Sequence, residues 1–370
     1  MDPAQKAETK PPSLIARLNT WANNLTRISV SQKLFFVQQL GIMVRTGISL
    51  AVALKTLTEQ TTNKRFKAIL ADVSAEVQQG NLLSKGLERY PQVFSELFVS
   101  MVRAGEASGK LENVLQQLYL QMKKDHAIVA KVRGAMIYPL VVVCAMVLIG
   151  TLMVVYVIPQ LTAIFQQSNI QLPWTTRLLI GISDVMTTHG ILLGIGVALL
   201  LALARWLTRW PPGRRRWHGL LLRVPVAGLI IRKINIARFC RTLTSLLKTD
   251  IAIVKSLEIT AQVLGNTVYR DALLASREKI QKGVTIAESL RPYPSIFPPV
   301  ILQMIAVGEE TGALDVILEE SASFYEEDVD QTMTTLPTLI EPILITLLGV
   351  GVAGMAVAVI MPIYSLTQAI

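Results

Sequence analysis

Little in this sequence could run a reaction. It contains two cysteines and three histidines, and neither set has the spacing that such chemistry demands. Cys144 and Cys240 form no CxxC pair, so no disulfide framework is expected. His126, His189 and His218 stand at no metal-ligand interval from one another or from a cysteine. No Ser/His/Asp or Cys/His arrangement stands out, and no catalytic, metal or cofactor residue is assigned; the chain is read as a non-enzyme. A secretory signal is lacking as well, because the first 13 residues are polar and no apolar run follows a basic start. The N-terminus is expected to stay in the cytoplasm. Charge is also missing in blocks: there is none between Arg133 and Arg177, no acid from Arg205 to Arg241, and no Lys or Arg after Arg291.

The charge-free blocks are where the apolar residues lie. With 51% hydrophobic residues, 17% charged and a mean hydropathy of +0.46 over 370 residues, the chain is too apolar for an ordinary soluble protein. Residues 140–158 are an unbroken apolar run between Pro139 and Pro159. At the helical rise, that run spans about 29 Å, one hydrocarbon thickness. Residues 343–361 repeat the arrangement between Pro342 and Pro362, and a third span reads from about Met186 to Ala204. Lys and Arg number 18 in residues 1–133 and 17 in residues 205–341, with only Arg177 in the loop between the first two spans. The positive-inside rule places both large segments in the cytoplasm and that loop outside.

The two proline-bracketed spans belong to a larger duplication. Residues 36–115 align without a gap on residues 239–318, at an offset of 203, with 19 of 80 positions identical. The best-matched stretches are Tyr90-Pro91-x-x-Phe94 with Tyr293-Pro294-x-x-Phe297, and Gly105-Glu106-x-x-Gly109-x-Leu111 with Gly308-Glu309-x-x-Gly312-x-Leu314. The register holds through Pro139 and Pro159 onto Pro342 and Pro362. A period this long is a duplicated domain, not a solenoid. Apolar residues recur at three and four spacings within each copy, and breaks at Gly47, Gly80, Tyr90-Pro91 and Gly109 divide the first into five or six helices. The expected fold is an all-α membrane protein with two tandem cytoplasmic helical bundles of about six helices each and three transmembrane helices.

The expected boundaries are an N-terminal cytoplasmic segment (1–30), a first bundle (31–134), a first span (135–158) and an external, periplasmic loop (159–185). A second span (186–204), a basic juxtamembrane segment (205–237), a second bundle (238–335), a third span (338–362) and an external tail (363–370) follow. One extra span separates the copies, so both bundles feed their spans in the same direction. That parallel arrangement weakens a transporter reading built on inverted repeats.

Four features are candidates for function. The paired glycine turns resemble a phosphate loop superficially, but they are one residue short of G-x-x-x-x-G-K-[ST], and Ala313 replaces the lysine in the second copy. Two readings of Gly105, Glu106, Gly109, Leu111 and of Gly308, Glu309, Gly312, Leu314 stay open: a tight interhelical turn with Ser108 or Thr311 capping the next helix, or a partner contact through Glu106 and Glu309. Nine acids lie between Glu309 and Asp330, among them Glu319, Glu320, Glu326 and Glu327; they read as a solvated face, a face neutralised by the basic first domain, or a docking surface for a basic partner or for the other protomer. Arg205 to Arg241 holds ten basic residues, with Trp206, Trp210 and Trp217 interleaved. It sits where a span ends, so lipid headgroups account for it without nucleic acid. Pro139, Glu341 and Pro342 mark where chain meets membrane, and Gly190, Gly194, Ala198 and Ala202 form a small-residue stripe suited to close helix packing.

Together, the duplicated bundle with G-E-x-[ST]-G-x-L in both copies, the stretch Val157-Ile158-Pro159 through Phe165 to Leu172-Pro173-x-x-Thr176, and the domain, span, loop, span, domain, span order resemble the type II secretion system F family, which includes the inner-membrane platform proteins of type IV pili. The resemblance covers nearly everything from residue 31 onward. It implies a multi-pass inner-membrane protein without a cofactor. It would contact a hexameric assembly ATPase, pilin or pseudopilin subunits and other inner-membrane assembly proteins, and would form homo-oligomers. Two bundles on one side of the membrane would then act as two arms on the motor. A transporter or channel, and a membrane-tethered regulatory scaffold, are the alternatives.

Overall fold

A computed structural model describes residues 28–160 and 174–368; nearly all of the N-terminal segment, about half of the external loop and the last two residues lie outside them. The described residues are helical, with no strand among them. In the first repeat the helices are α1 (Val30–Arg45), α2 (Leu50–Gln60), α3 (Lys64–Gln78), α4 (Leu83–Glu88), α5 (Glu96–Ser108) and α6 (Leu111–Leu152). Next come α7 (Trp174–Arg209) and α8 (Pro211–Arg223). The second repeat comprises α9 (Pro225–Leu247), α10 (Ile253–Val263), α11 (Thr267–Ile280), α12 (Ile286–Leu290), α13 (Pro299–Thr311) and α14 (Leu314–Gln368).

The same local signals start and stop the matched helices. Asn63 and Asn266 occupy one repeat position, and each side chain accepts a backbone N–H of the helix it begins, from Phe66 for α3 and from Val268 for α11. Gly80 and its counterpart Gly283 take φ of 86° and 89° to end α3 and α11. At Gly47 the counterpart is Asp250, which holds φ 60° without glycine's freedom.

Among the described residues, one compact unit is formed by residues 28–126 together with Asn235–Ser323, so it holds both bundles. In the first repeat Phe36, Phe66 and Phe94 meet with ring centroids 5.7 to 6.4 Å apart. Their counterparts Phe239, Tyr269 and Phe297 repeat the cluster at 5.3 and 5.5 Å, and the buried Tyr269 hydroxyl donates to Ile296 O at 2.9 Å. Buried rings of this size contribute about 1.5–3 kcal/mol each. The first repeat's core also takes in Leu246 and Ile259 of the second. The two repeats are therefore joined in one body.

The second unit is Ala127–Ile234 together with the chain from Phe324 on. Two helical stretches that begin in the first unit and end in the second are long and apolar enough to cross a membrane: Leu111–Gln160 and Leu314–Val357. Pro139 does not break its helix, which runs on into a π turn at Met153–Val157. The proline removes one ladder donor in exchange for a bend or a weaker turn. The last helix of each repeat and its apolar run are thus one element. Residues 174–185, read from the sequence as loop, open α7, and the juxtamembrane stretch is helical in α8 and α9. Within α7 the backbone leaves helical geometry at His189, and Ser183–Gly190 and Gly194–Leu200 are bent by 82°. Lys233 reaches Asp328 at 2.7 Å, and Lys131 pairs with Asp330.

Candidate functional site

Each residue of the G-E-x-x-G-x-L turn has a distinct physical task. A Cβ on Gly105 would stand 2.9 Å from Val114 Cγ2 and 3.1 Å from Leu111 Cα, and one on Gly308 would meet Leu314 Cα at 3.0 Å. Only glycine lets α5 and α13 close on the first turn of the following helix. Gly109 and Gly312 end α5 and α13 in the left-handed region at φ 69° and 70°. Glu106 reaches back 23 residues, and its carboxylate accepts the backbone N–H groups of Leu83 at 2.5 Å and Ser84 at 3.0 Å. Glu309 does the same for Ile286 at 2.6 Å and Ala287 at 3.0 Å.

These amides open α4 and α12, helices of six and five residues. So short a helix leaves most of its N–H groups without an internal acceptor, and a carboxylate satisfies two at once. Ser108 and Thr311 do not cap the next helix: their hydroxyls donate to Ala104 O and Val307 O, one turn back in their own helices. Leu111 and Leu314 begin α6 and α14 directly beneath the glycines. A cleft of about 630 Å³ borders the second turn, lined by Leu247, Ile253, Val284, Glu309 and Leu314.

The repeats are braced through residues that the sequence reading passed over. Gln121 on α6, 4% exposed, donates to Thr242 at 3.1 Å and accepts from Ser245 at 3.2 Å, both on α9. Ion pairs flank this buried network: Asp125–Arg238 at 2.6 Å, Lys110–Asp250 at 2.8 Å and Glu96–Lys255 at 3.3 Å. The hydrogen bond and charge of Asp250 raise the pKa of Lys110. Burial lowers that of Lys255, but its bonds to Glu258 and Glu96 outweigh burial and leave it raised. A raised lysine value means that this bracing is fully present below the ordinary lysine range and is lost as pH climbs through the raised value. Exposed pairs contribute little energy, so their effect is mainly to fix register. The available signal was a mismatch between copies, because the counterpart of Gln121 is Phe324.

The acidic helix is partly neutralised. Glu319 pairs with Lys248, in the turn just after α9, and lies 3.7 Å from Arg241 on α9, both of its own repeat. Asp328 and Asp330 are taken by Lys233 and Lys131. Glu326 is half-buried, while Glu320 and Glu327 are exposed. Thus the four glutamates singled out by sequence divide: one is held in place and two face solvent. Glu341 and Pro342 are exposed on α14, and Pro139 is buried on α6. Trp206 and Trp210 stack with centroids 6.0 Å apart and are both exposed, as is Trp217.

Comparison with known proteins returns the duplication. The family model described as "Type II secretion system (T2SS), protein F" matches residues 36–159 and again residues 239–362. Type IV pilus assembly protein PilC of Thermus thermophilus is 38% identical over 332 residues, covering 90% of this chain and 81% of its own. Type II secretion system protein F of Vibrio cholerae is 34% identical over 341 residues, covering 92% and 84%. The protein F of Pseudomonas aeruginosa is 33% identical over 331 residues, covering 90% and 82%.

Proposed function

This chain belongs to the type II secretion system protein F family, and on that premise we propose that it is the non-catalytic inner-membrane platform of a type IV pilus or type II secretion assembly machine. In this role it couples a cytoplasmic hexameric ATPase to the insertion of pilin or pseudopilin subunits into a fibre. The observation that carries the reading is the two-copy family match, together with relatives named for pilus assembly and for type II secretion. One feature of the secondary structure fits it: the last helix of each repeat continues into the apolar run as a single helical element.

The contact with the motor is assigned to the exposed glutamates of α14, Glu320 and Glu327, and not to Glu319, which is already paired. Purified assembly ATPase is expected to bind the full chain in nanodiscs, and Glu320→Lys with Glu327→Lys to weaken it about tenfold, close to 1.4 kcal/mol. Helicity should be unchanged. Full affinity in the double variant would return these residues to an ordinary solvated face.

The proposed topology is three spans, with the N-terminus and both bundles in the cytoplasm. A reporter active only outside the cytoplasm should give signal when inserted near Gln167, outside the described residues, and none near Gly213. The reverse pattern would overturn the orientation.

A further inference from the structure

The two repeats meet head to tail, and that leaves one face of each repeat without its counterpart. The first repeat contributes α5 and α6, through Glu96, Lys110, Gln121 and Asp125. The second contributes α9 and α10, through Arg238, Thr242, Ser245, Asp250 and Lys255. A two-fold contact would use one surface twice; this one joins two different surfaces of a repeated fold and is heterologous. By the 203-residue register, the first repeat therefore carries an unfilled version of the α9–α10 surface, and the second an unfilled version of the α5–α6 surface.

Exposure shows that both are vacant. Leu97 is 6% exposed and its counterpart Val300 is 60% exposed; Gln121 is 4% exposed and Phe324 is 64% exposed. On the other surface Ser245 is 2% exposed and Ile42 is 44% exposed, while Lys255 is replaced by Val52, 56% exposed. The substitutions are matched across the two surfaces. Where Glu96 meets Lys255 inside the chain, the vacant faces hold Pro299 and Val52. Where Lys110 meets Asp250, they hold Ala313 and Gly47. Where Gln121 meets Thr242 and Ser245, they hold Phe324 against Gln39 and Ile42. Two of the internal ion pairs, Glu96–Lys255 and Lys110–Asp250, have lost their charge on both sides together, and Phe324 faces an apolar Ile42 beside Gln39. At the third, Asp125–Arg238, Phe35 stands for the arginine while Asp328 keeps its charge and is held by Lys233 of its own chain, so the two faces match mainly through apolar residues. A surface that met only water would gain nothing from exchanging Lys and Gln for Val and Phe.

We propose that a second copy of this chain docks head to tail on these faces, α13 and α14 of one molecule against α1 and α2 of the next, repeating between chains the contact that joins the repeats within one. The occupant follows from continuity with the internal contact: the complementary surface exists on the same chain, in the same fold and register. A heterologous contact of this kind closes into a ring or runs on as an open array. The inference depends on the repeat geometry alone and stands apart from the machine to which the chain is assigned.

Cross-linking of full chains in their membrane tests it. One chain carries Val52→Cys and one affinity tag, the other Pro299→Cys and a second tag, both in a Cys144→Ala background; Cys240 is buried and stays. A short bismaleimide should give a mixed covalent dimer when the two are coexpressed and none when either is expressed alone. A third chain with Glu96→Cys and Lys255→Cys, where the side chains meet inside the molecule at 3.3 Å, supplies the internal link as a control. A product from Val52→Cys alone or Pro299→Cys alone would mean a two-fold contact and overturn the proposal. So would the absence of a mixed product while the control links, or adducts to a protein of different mass in its place.

Discussion

Replacing Glu106 by alanine is expected to destabilise the cytoplasmic unit by about 2–3 kcal/mol, with the loss centred on α4. The carboxylate is the acceptor for both Leu83 and Ser84 N–H, and no side chain of α4's own start does that work: Leu82, which precedes the helix, makes no cap. Alanine leaves two half-buried donors without the acceptor they had. Glutamine at the same position should recover part of the loss, because its amide oxygen can accept one N–H while its amine faces the other. The readout is hydrogen exchange of full-length protein in detergent, where the peptide covering residues 82–90 should lose protection by about 30-fold or more for a 2 kcal/mol change. Glu309→Ala should act likewise on α12, although Thr285 also accepts the N–H of Glu288 there, so its effect should be smaller. Unchanged protection in both variants would mean that the carboxylates are not caps in solution.

Gly105→Val should cost about 1–3 kcal/mol from overpacking, on top of any helix-propensity gain that a side chain brings. The closest neighbours of the added Cβ are Val114, a core residue, and the backbone of Leu111, and neither is a flexible side-chain end that could swing aside. The change should push α5 off α6, lower the melting temperature of the full chain, and leave the second repeat's Gly308 turn protected from exchange. Wild-type stability in Gly105→Val would show that the turn yields more easily than its contacts imply. Valine at Gly134, where nothing lies within 4 Å of an added Cβ, serves as the tolerant control.

The repeat, the apolar runs and the helical periodicity are all local or translational patterns, and the sequence displays them directly. The motif's glycines were also legible as a turn, since spacing and residue type say where a chain must reverse. Glu106 was not. Its partners are amides 22 and 23 residues earlier, and a backbone donor leaves no mark in a sequence. The same limit hid the brace at Gln121, because a glutamine on a helix reads as solvated until Thr242 and Ser245 are brought against it. Sequence could count the acids of α14, yet could not separate Glu319, held by Lys248, from the exposed Glu320. That separation depends on which face of α9 packs there. The unity of the two bundles was likewise out of reach: a duplication fixes that there are two copies and says nothing of whether they touch.

The most direct measurement of the platform assignment is fibre assembly in a cell lacking this chain. Deletion should abolish surface pili, or the secretion served by the machine, while prepilin and the assembly ATPase continue to be made, and the full-length chain supplied from a plasmid should restore assembly. Fibres or secretion at wild-type levels in the deletion strain would contradict the account.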